Sequence, residues 1–232
     1  MPASISIVIP SLNAAHHLAG STNALLEGVT DGLVSELIIS DGGSTDDTRD
    51  AARELGAVWI EGPPGRGGQL ARGVVAAKSD WVLFLHADTW LSTGWPAAVI
   101  QHMNTHPETA GWFRLKFRAE GFMPRLVASV ANRRSQVLDL PYGDQGLLIS
   151  QDLLAQVGGV PELPLMEDVA LARLLKGKLR PLAAEAMTSA ERYEQEGWFR
   201  RPTQNIGTLI RYFLGAEPAA LKQRYERPSR GA

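Results

Sequence analysis

Four short polar clusters stand where apolar runs stop, and each has a chemistry open to it. His86-Ala87-Asp88 follows Val82-Leu83-Phe84-Leu85. A carboxylate there could hold Mg2+ or Mn2+ while a diphosphate supplies further oxygens. The imidazole could join it on Mn2+ or bond a phosphate. A helix-capping Asp beside a packed His would have the same spacing. Asp41-Gly42-Gly43-Ser44-Thr45-Asp46 sets an acid before two glycines. The acid could accept from a base N–H or a ribose hydroxyl, and the glycines would let a ligand approach the backbone. A capped turn accounts for the same composition.

The third cluster, Gly65-Arg66-Gly67-Gly68-Gln69-Leu70-Ala71-Arg72-Gly73, puts glycines and an arginine ahead of a helix. That suits a phosphate or sugar clamp, and equally a flexible loop. It lacks the Lys-Ser/Thr ending of a P-loop, and no G-x-G follows the first apolar run, so a dinucleotide fingerprint is absent. The fourth is Met166-Glu167-Asp168. Adjacent carboxylates point in different directions, so at most one can face a reacting hydroxyl as general base. Two acids are also favoured at any helix N-terminus.

These clusters need elements to position them. Ser4 to Pro10 is a short β-branched run, the pattern of a buried parallel strand. A helix follows, with Leu18, Thr22, Leu25, Leu26 and Val29 on one face. Glu36 to Ser40 reads as a second strand ending at Asp41. Ser44 or Thr45 then caps a helix running to about Leu55, with Asp46 and Asp47 at its positive end. Ala57 to Glu61 is a third strand, Gln69 to Ala77 a helix, and Trp81 to Leu85 a fourth strand buried on both faces. Four β-α units imply a parallel sheet covered by helices. In such sheets ligands bind beyond the carboxyl ends of the strands. Asn13, Asp41, Arg66, His86 and Asp88 all fall there.

The second half is less regular. Trp112 to Arg118 alternates apolar residues with Arg114, Lys116 and Arg118, a strand with one wet, basic face. Arg125 to Gln136 and Asp168 to Lys176 read as helices. Leu147 to Ser150 reads as a strand followed by a short helix ending at Gly158-Gly159. Ile206, Leu209, Ile210, Phe213 and Leu214 form a helical stripe, with Arg200, Arg201 and Arg211 nearby and Trp198 and Tyr212 placed for a lipid interface. Packing on the domain body or across a homodimer would use the same stripe. The tail after Tyr225 should fray.

The 232 residues suffice for one large domain, and 44% apolar with 21% charged residues is globular rather than disordered. A net charge of −2 gives no support to nucleic-acid binding. There is no cysteine, which excludes thiolate metal sites and a cysteine nucleophile and is compatible with a reducing cytoplasm. The apolar start has no basic leader region, and no stretch reaches the roughly 20 apolar residues of a membrane span.

Together the four clusters resemble the family 2 glycosyltransferases of GT-A fold, over about Ser4 to Glu194. Val8-Ile9-Pro10-Ser11-Leu12-Asn13 is similar to that family's first strand and donor loop. Asp41 to Asp46 resembles its nucleoside-binding turn. His86-Ala87-Asp88 resembles its Asp-x-Asp metal motif with His for the first Asp, and Glu167-Asp168 its Glu-Asp pair. Tyr142-Gly143-Asp144-Gln145-Gly146 and Thr188-Ser189-Ala190-Glu191-Arg192-Tyr193 resemble features of a small bacterial subgroup without membrane helices. The Gln-x-x-Arg-Trp motif of processive members is missing.

The resemblance implies a single α/β domain of GT-A type, with a mainly parallel central sheet and helices on both faces. The domain would occupy residues 1–225: a nucleotide-binding half (1–90), an acceptor-binding and catalytic half (91–195) and a C-terminal helical segment (196–225), with a tail at 226–232. It implies an inverting transfer of sugar from a nucleotide-diphosphate donor, UDP-sugars favoured, to an acceptor hydroxyl. Pro10, Leu12, Asn13, Asp41, Arg66, Gln69 and Ala87 would hold the donor. Asp88 and His86 would hold Mg2+ or Mn2+. Asp168, with Glu167 beside it, would be catalytic, and Asp144, Gln145 and Arg192 would orient acceptor or donor sugar. The acceptor could be lipid-linked, with the enzyme in the cytoplasm and peripheral at the inner face of the membrane. Two alternatives are a sugar-phosphate nucleotidyltransferase and a non-catalytic nucleotide-sugar-binding module. The first would carry a Gly-rich loop with Lys where Ser11-Leu12-Asn13-Ala14-Ala15 stands.

Overall fold

The computed structural model describes residues 4–225. The first strand, β1 (Ile5–Ser11), alternates its side chains between two cores. Ile5, Ile7 and Ile9 face one, with Leu18, Leu83, Trp95 and Phe113. Val8 faces the other, with Phe84, Ile149, Val169 and Leu171. Helices must therefore cover both faces, and they do. After β1 come α1 (Ala15–Asn23), α2 (Leu26–Thr30), β2 (Val34–Asp41), α3 (Thr48–Glu54), β3 (Val58–Glu61), α4 (Arg66–Ala76) and β4 (Trp81–Phe84). The second half adds β5 (Thr89–Leu91), α5 (Trp95–Thr105), β6 (Ala110–Phe117), α6 (Phe122–Leu138), a 3-10 turn (Gly143–Gln145), β7 (Leu147–Ser150) and α7 (Gln151–Gln156). It ends with α8 (Glu167–Leu174), β8 (Leu179–Thr188), α9 (Glu191–Glu196), α10 (Arg200–Phe213) and α11 (Pro218–Tyr225).

One eight-stranded sheet runs β3-β2-β1-β4-β7-β6-β8-β5. β3, β2, β1 and β4 are parallel, as the β-α alternation predicts, and β6 is parallel to β8. β7 is antiparallel to both β4 and β6, and β5 is antiparallel to β8. Placing β7 beside β4 brings the second half's loops to the carboxyl end of β4, where His86 and Asp88 emerge.

Several expectations need correction. The helix after β1 is two helices. Leu18, Thr22 and Leu25 are buried, but Leu26 and Val29 are exposed. The cause is Gly28, which faces inward: a Cβ there would lie 2.3 Å from the Trp95 ring. The next helix starts at Thr48, not after a Ser44 or Thr45 cap, because those residues bond Asp41 and Asn13 instead. Asp46 takes over, accepting from the Thr48 and Ala15 amides. α4 begins at Arg66, a turn earlier than Gln69. The C-terminal stripe is split. Leu209 and Tyr212 pack against the second core, while Ile206, Ile210, Phe213 and Leu214 are exposed. Trp198 is no interface residue: it packs at 5.2 Å, edge-on, to Phe117 and stacks on Tyr193. The expected tail at 226–232 lies outside the described residues.

Candidate active site

A cleft of about 490 Å³ opens at the carboxyl ends of β1 and β4. Its floor is His86, Ala87 and Asp88. One wall is the β1–α1 loop with Pro10, Leu12 and Asn13. The opposite wall is Tyr142, Gly143, Asp144 and the start of α8 with Met166 and Asp168. Arg66, from the first turn of α4, and Arg192, from α9, also line it. Ten of the fourteen residues singled out from sequence are thus brought together: Pro10, Leu12, Asn13, Arg66, His86, Ala87, Asp88, Asp144, Asp168 and Arg192.

The other four lie behind the walls. Asp41 is 1% exposed. Its carboxylate accepts from the Ser11 and Ser44 hydroxyls and the Gly43 and Ser44 amides, so every lone-pair direction is used in building the turn. Gln69 donates to the Ser11 and Ser40 carbonyls at 2.7 and 2.9 Å, clipping β1 to β2. Gln145 is buried in a network with Ser135, Asn132, Arg134 and the Phe113 carbonyl, where it joins β6 to α6 rather than facing a ligand. Glu167 is buried beneath Arg66, its Oε1 2.8 Å from Nε.

Local backbone strain marks the walls. Three described non-glycine residues have positive φ, and two of them, Asn13 at 51° and Met166 at 67°, line the cleft. Such conformations cost about 1–3 kcal/mol and persist where the surroundings over-determine them. Asn13 is held by the Thr45 amide, which donates to its Oδ1 at 2.9 Å. Met166 turns the chain so that Glu167 and Asp168 enter the first turn of α8 side by side, one inward and one into the cleft.

Asp168 is the best-oriented acid. Its Oδ2 accepts from the Gly143 amide at 2.9 Å and its Oδ1 from the Val169 amide at 2.8 Å, which fixes the rotamer. Gly143 must be small: a Cβ there would stand 2.6 Å from His86 Nε2 and 3.6 Å from Asp168 Oδ2. Burial, reinforced by the Arg66 charge, pushes the His86 imidazole down to about 4, so it is neutral at pH 7. Burial, and then Asp168 beside it, pushes Glu167 up to about 7 against the pull of Arg66. Burial raises Asp144 to about 6, and its Oδ1 has no hydrogen-bond partner among the described residues.

A divalent ion fits this donor set. Among the described residues the Asp88 carboxylate has a single side-chain contact, 3.5 Å from the Thr89 hydroxyl, which leaves its oxygens available to an ion, and Asp144, with a buried unpartnered oxygen, lines the same cleft. His16, His17, Gln195, Arg201 and Asn205 also reach the cleft. Sequence reasoning missed these. The His16-His17 pair just past the first loop was the one available signal. The others arrive through the packing of α9 and α10, which no local pattern encodes.

The family model described as "Glycosyl transferase family 2" matches residues 6–148. Among curated proteins, glucosyl-3-phosphoglycerate synthase of Mycobacterium tuberculosis is 32% identical over 201 residues, covering 81% of this chain and 54% of that protein. The chain therefore spans about half the length of the curated relatives it matches. A crystal structure of the M. tuberculosis synthase with Mn2+ and UDP-glucose superposes with TM-score 0.56 at 25% identity, covering 77% of this chain and 68% of that one. A crystal structure of S. aureus TarS superposes with TM-score 0.66 at 15% identity, covering 95% and 68%, a likeness of fold alone. The GT-A-type architecture expected from sequence is thus found in the fold, and by the extent of the family match the chain belongs to glycosyl transferase family 2.

Proposed function

We propose that the protein transfers a sugar, with inversion, from a nucleotide-diphosphate donor to an acceptor hydroxyl, assisted by Mg2+ or Mn2+. One observation carries this reading: a single cleft sets Asp88, at the end of β4, across from the pinned carboxylate of Asp168 on α8. The relative crystallised with Mn2+ and UDP-glucose favours a uridine donor. Pro10, Leu12, Asn13 and Ala87 receive the nucleotide. Asp41 and Gln69 act from beneath, holding the loop in shape. Asp88 and His86 would hold the ion, which when bound neutralises charge on the leaving diphosphate. Arg66 adds a fixed cation to the same end, held in place by Glu167. Asp168, oriented by two amides, takes the proton from the acceptor hydroxyl. Asp144 and Arg192 orient the donor sugar or acceptor, and Gln145 supports the turn that carries Asp144. The 1–90 and 91–195 halves divide donor and acceptor work accordingly. A screen of nucleotide sugars for release of the nucleoside diphosphate, with and without Mn2+, tests the proposal. No turnover or binding with any donor would favour a non-catalytic module, and pyrophosphorolysis of a donor would favour a nucleotidyltransferase.

We also infer that the acceptor is lipid-linked and that the enzyme works peripherally at the inner face of the membrane. Among the described residues no helix is long and apolar enough to cross a bilayer. Two helices instead present apolar and basic residues outward. On α6 these are Phe122 (75% exposed), Arg125, Leu126, Val130, Arg133 and Val137, and on α10 they are Ile206, Ile210, Arg211 and Phe213. Neither helix contains an acidic residue. Such faces suit the surface of an anionic bilayer, and α10 also borders the cleft through Arg201 and Asn205. A homodimer burying the same faces is the competing outcome.

A further inference from the structure

Two imidazoles and a carboxylate meet at the mouth of the cleft from opposite ends of the chain. His16 and His17 lie in the first turn of α1, and Glu191 opens α9. Successive helix residues normally diverge, yet the two rings lie 3.8 Å apart at 40°. One ligand atom from each of His16, His17 and Glu191 lies within 4.8 Å of the others. Two atoms bound to one ion at about 2.0–2.2 Å each can be no more than about 4.4 Å apart. A few tenths of an ångström of side-chain movement would therefore close the set, and His16 and Glu191 are exposed enough to make it. None of the three has a side-chain hydrogen bond or ion pair among the described residues, although the charges of Asp88 and Arg118 reach His17 and that of Arg118 reaches Glu191. Burial, with His16 alongside, holds the His17 pKa below the usual histidine value, which keeps a lone pair free at neutral pH.

We propose that His16, His17 and Glu191 form a cation site of their own, for a borderline transition ion such as Zn2+ or Co2+ in preference to Mg2+. Two nitrogens and one carboxylate oxygen select that class, whereas Mg2+ takes oxygens. The site shares the cleft with the donor site assigned to Asp88 and His86 but uses none of its ligands, and it fills without nucleotide. An ion there ties the first turn of α1 to that of α9, and so restrains the segment that carries Arg192 over the cleft.

The test is a titration of untagged protein with Co2+ in the absence of any nucleotide. Binding is followed by visible absorption and then by displacement with Zn2+ in a calorimeter. The expected result is one ion per chain, not displaced by millimolar Mg2+. His17→Ala and Glu191→Gln should each weaken binding by at least about tenfold, while Asp88→Ala changes it by less than about twofold. Circular dichroism checks that each variant is folded. No binding to the wild-type chain overturns the proposal. So does undiminished binding in a folded His16→Ala/His17→Ala/Glu191→Gln triple variant, or loss of binding on Asp88→Ala. Loss on Asp88→Ala would place the ion at the donor site instead, and the other two results leave nucleotide-dependent metal binding at Asp88 untouched.

Discussion

Replacing Glu167 by Gln should make the protein more stable at high pH relative to wild type, and less so at low pH. The Glu167 side chain is 3% exposed, and among the described residues its Oε2 has no hydrogen-bond partner and its one ion-pair cation is Arg66, which is 40% exposed and so reaches solvent. Its folded-state pKa rises from 4.5 to about 7. Below about pH 4.5 the group is protonated in both states and costs nothing. Between 4.5 and 7 the unfolded chain has released the proton that the folded chain retains, so stability falls as pH rises. At about 1.4 kcal/mol per pH unit, the loss sums to an upper bound of about 3 kcal/mol. Glutamine carries no such loss, and Arg66, 40% exposed, reaches enough solvent that the substitution leaves no buried charge. Denaturant titrations of both proteins at pH 4.5 and pH 8 measure this. The stability difference should move by about 2–3 kcal/mol in favour of Glu167→Gln at the higher pH, or roughly 4–12 °C in Tm. Parallel pH profiles for the two proteins would refute the argument.

Asp168→Asn, nearly isosteric but unable to accept a proton, should lower turnover by roughly 10²-fold or more with donor affinity little changed, as read by steady-state kinetics. If Glu167→Gln is the inactive variant and Asp168→Asn stays active, the two roles are exchanged. Gly143→Ala should cut turnover by roughly tenfold or more while the melting temperature moves little, because its Cβ meets His86 and Asp168 rather than the core. An active Gly143→Ala enzyme would mean that this wall is not fixed during catalysis. In sedimentation with anionic vesicles, Phe122→Ser/Ile210→Ser should bind at least about tenfold more weakly than wild type, and wild-type binding should weaken with salt. A full-length protein that ignores vesicles but dimerises through these residues would reassign the faces to self-association.

The donor half was legible because its elements are local. Each β-branched run is short, ends in a polar residue and is followed by a helix, so the parallel pairing and the end at which ligands gather follow from pattern alone, whereas the order β3-β2-β1-β4 does not. Leu147–Ser150 was also readable as a strand. Its antiparallel place between β4 and β6 was not, because pairing over that distance depends on which edge is free once β1 and β4 have formed. The site residues divide in the same way. Asp88 and Asp168 stand at the ends of recognisable elements. Asp41 and Gln145 have the residue types of ligand-binding groups, yet their hydrogen bonds are spent on backbone and neighbouring side chains. Sequence cannot show whether a polar group is already satisfied. His16, His17 and Glu191 come together only when the start of α9 reaches the first turn of α1, a meeting of residues far apart in the chain.

The central claim is that Asp88 completes a divalent-ion site with the donor diphosphate. Calorimetric titration of UDP into the protein, with Mn2+ and with chelator, tests it most directly. In wild type, Mn2+ should tighten UDP binding by at least about tenfold, worth about 1.4 kcal/mol. In folded Asp88→Ala that gain should vanish while weak metal-independent binding remains. A metal enhancement that survives intact in Asp88→Ala, or one never seen in wild type, would contradict the account.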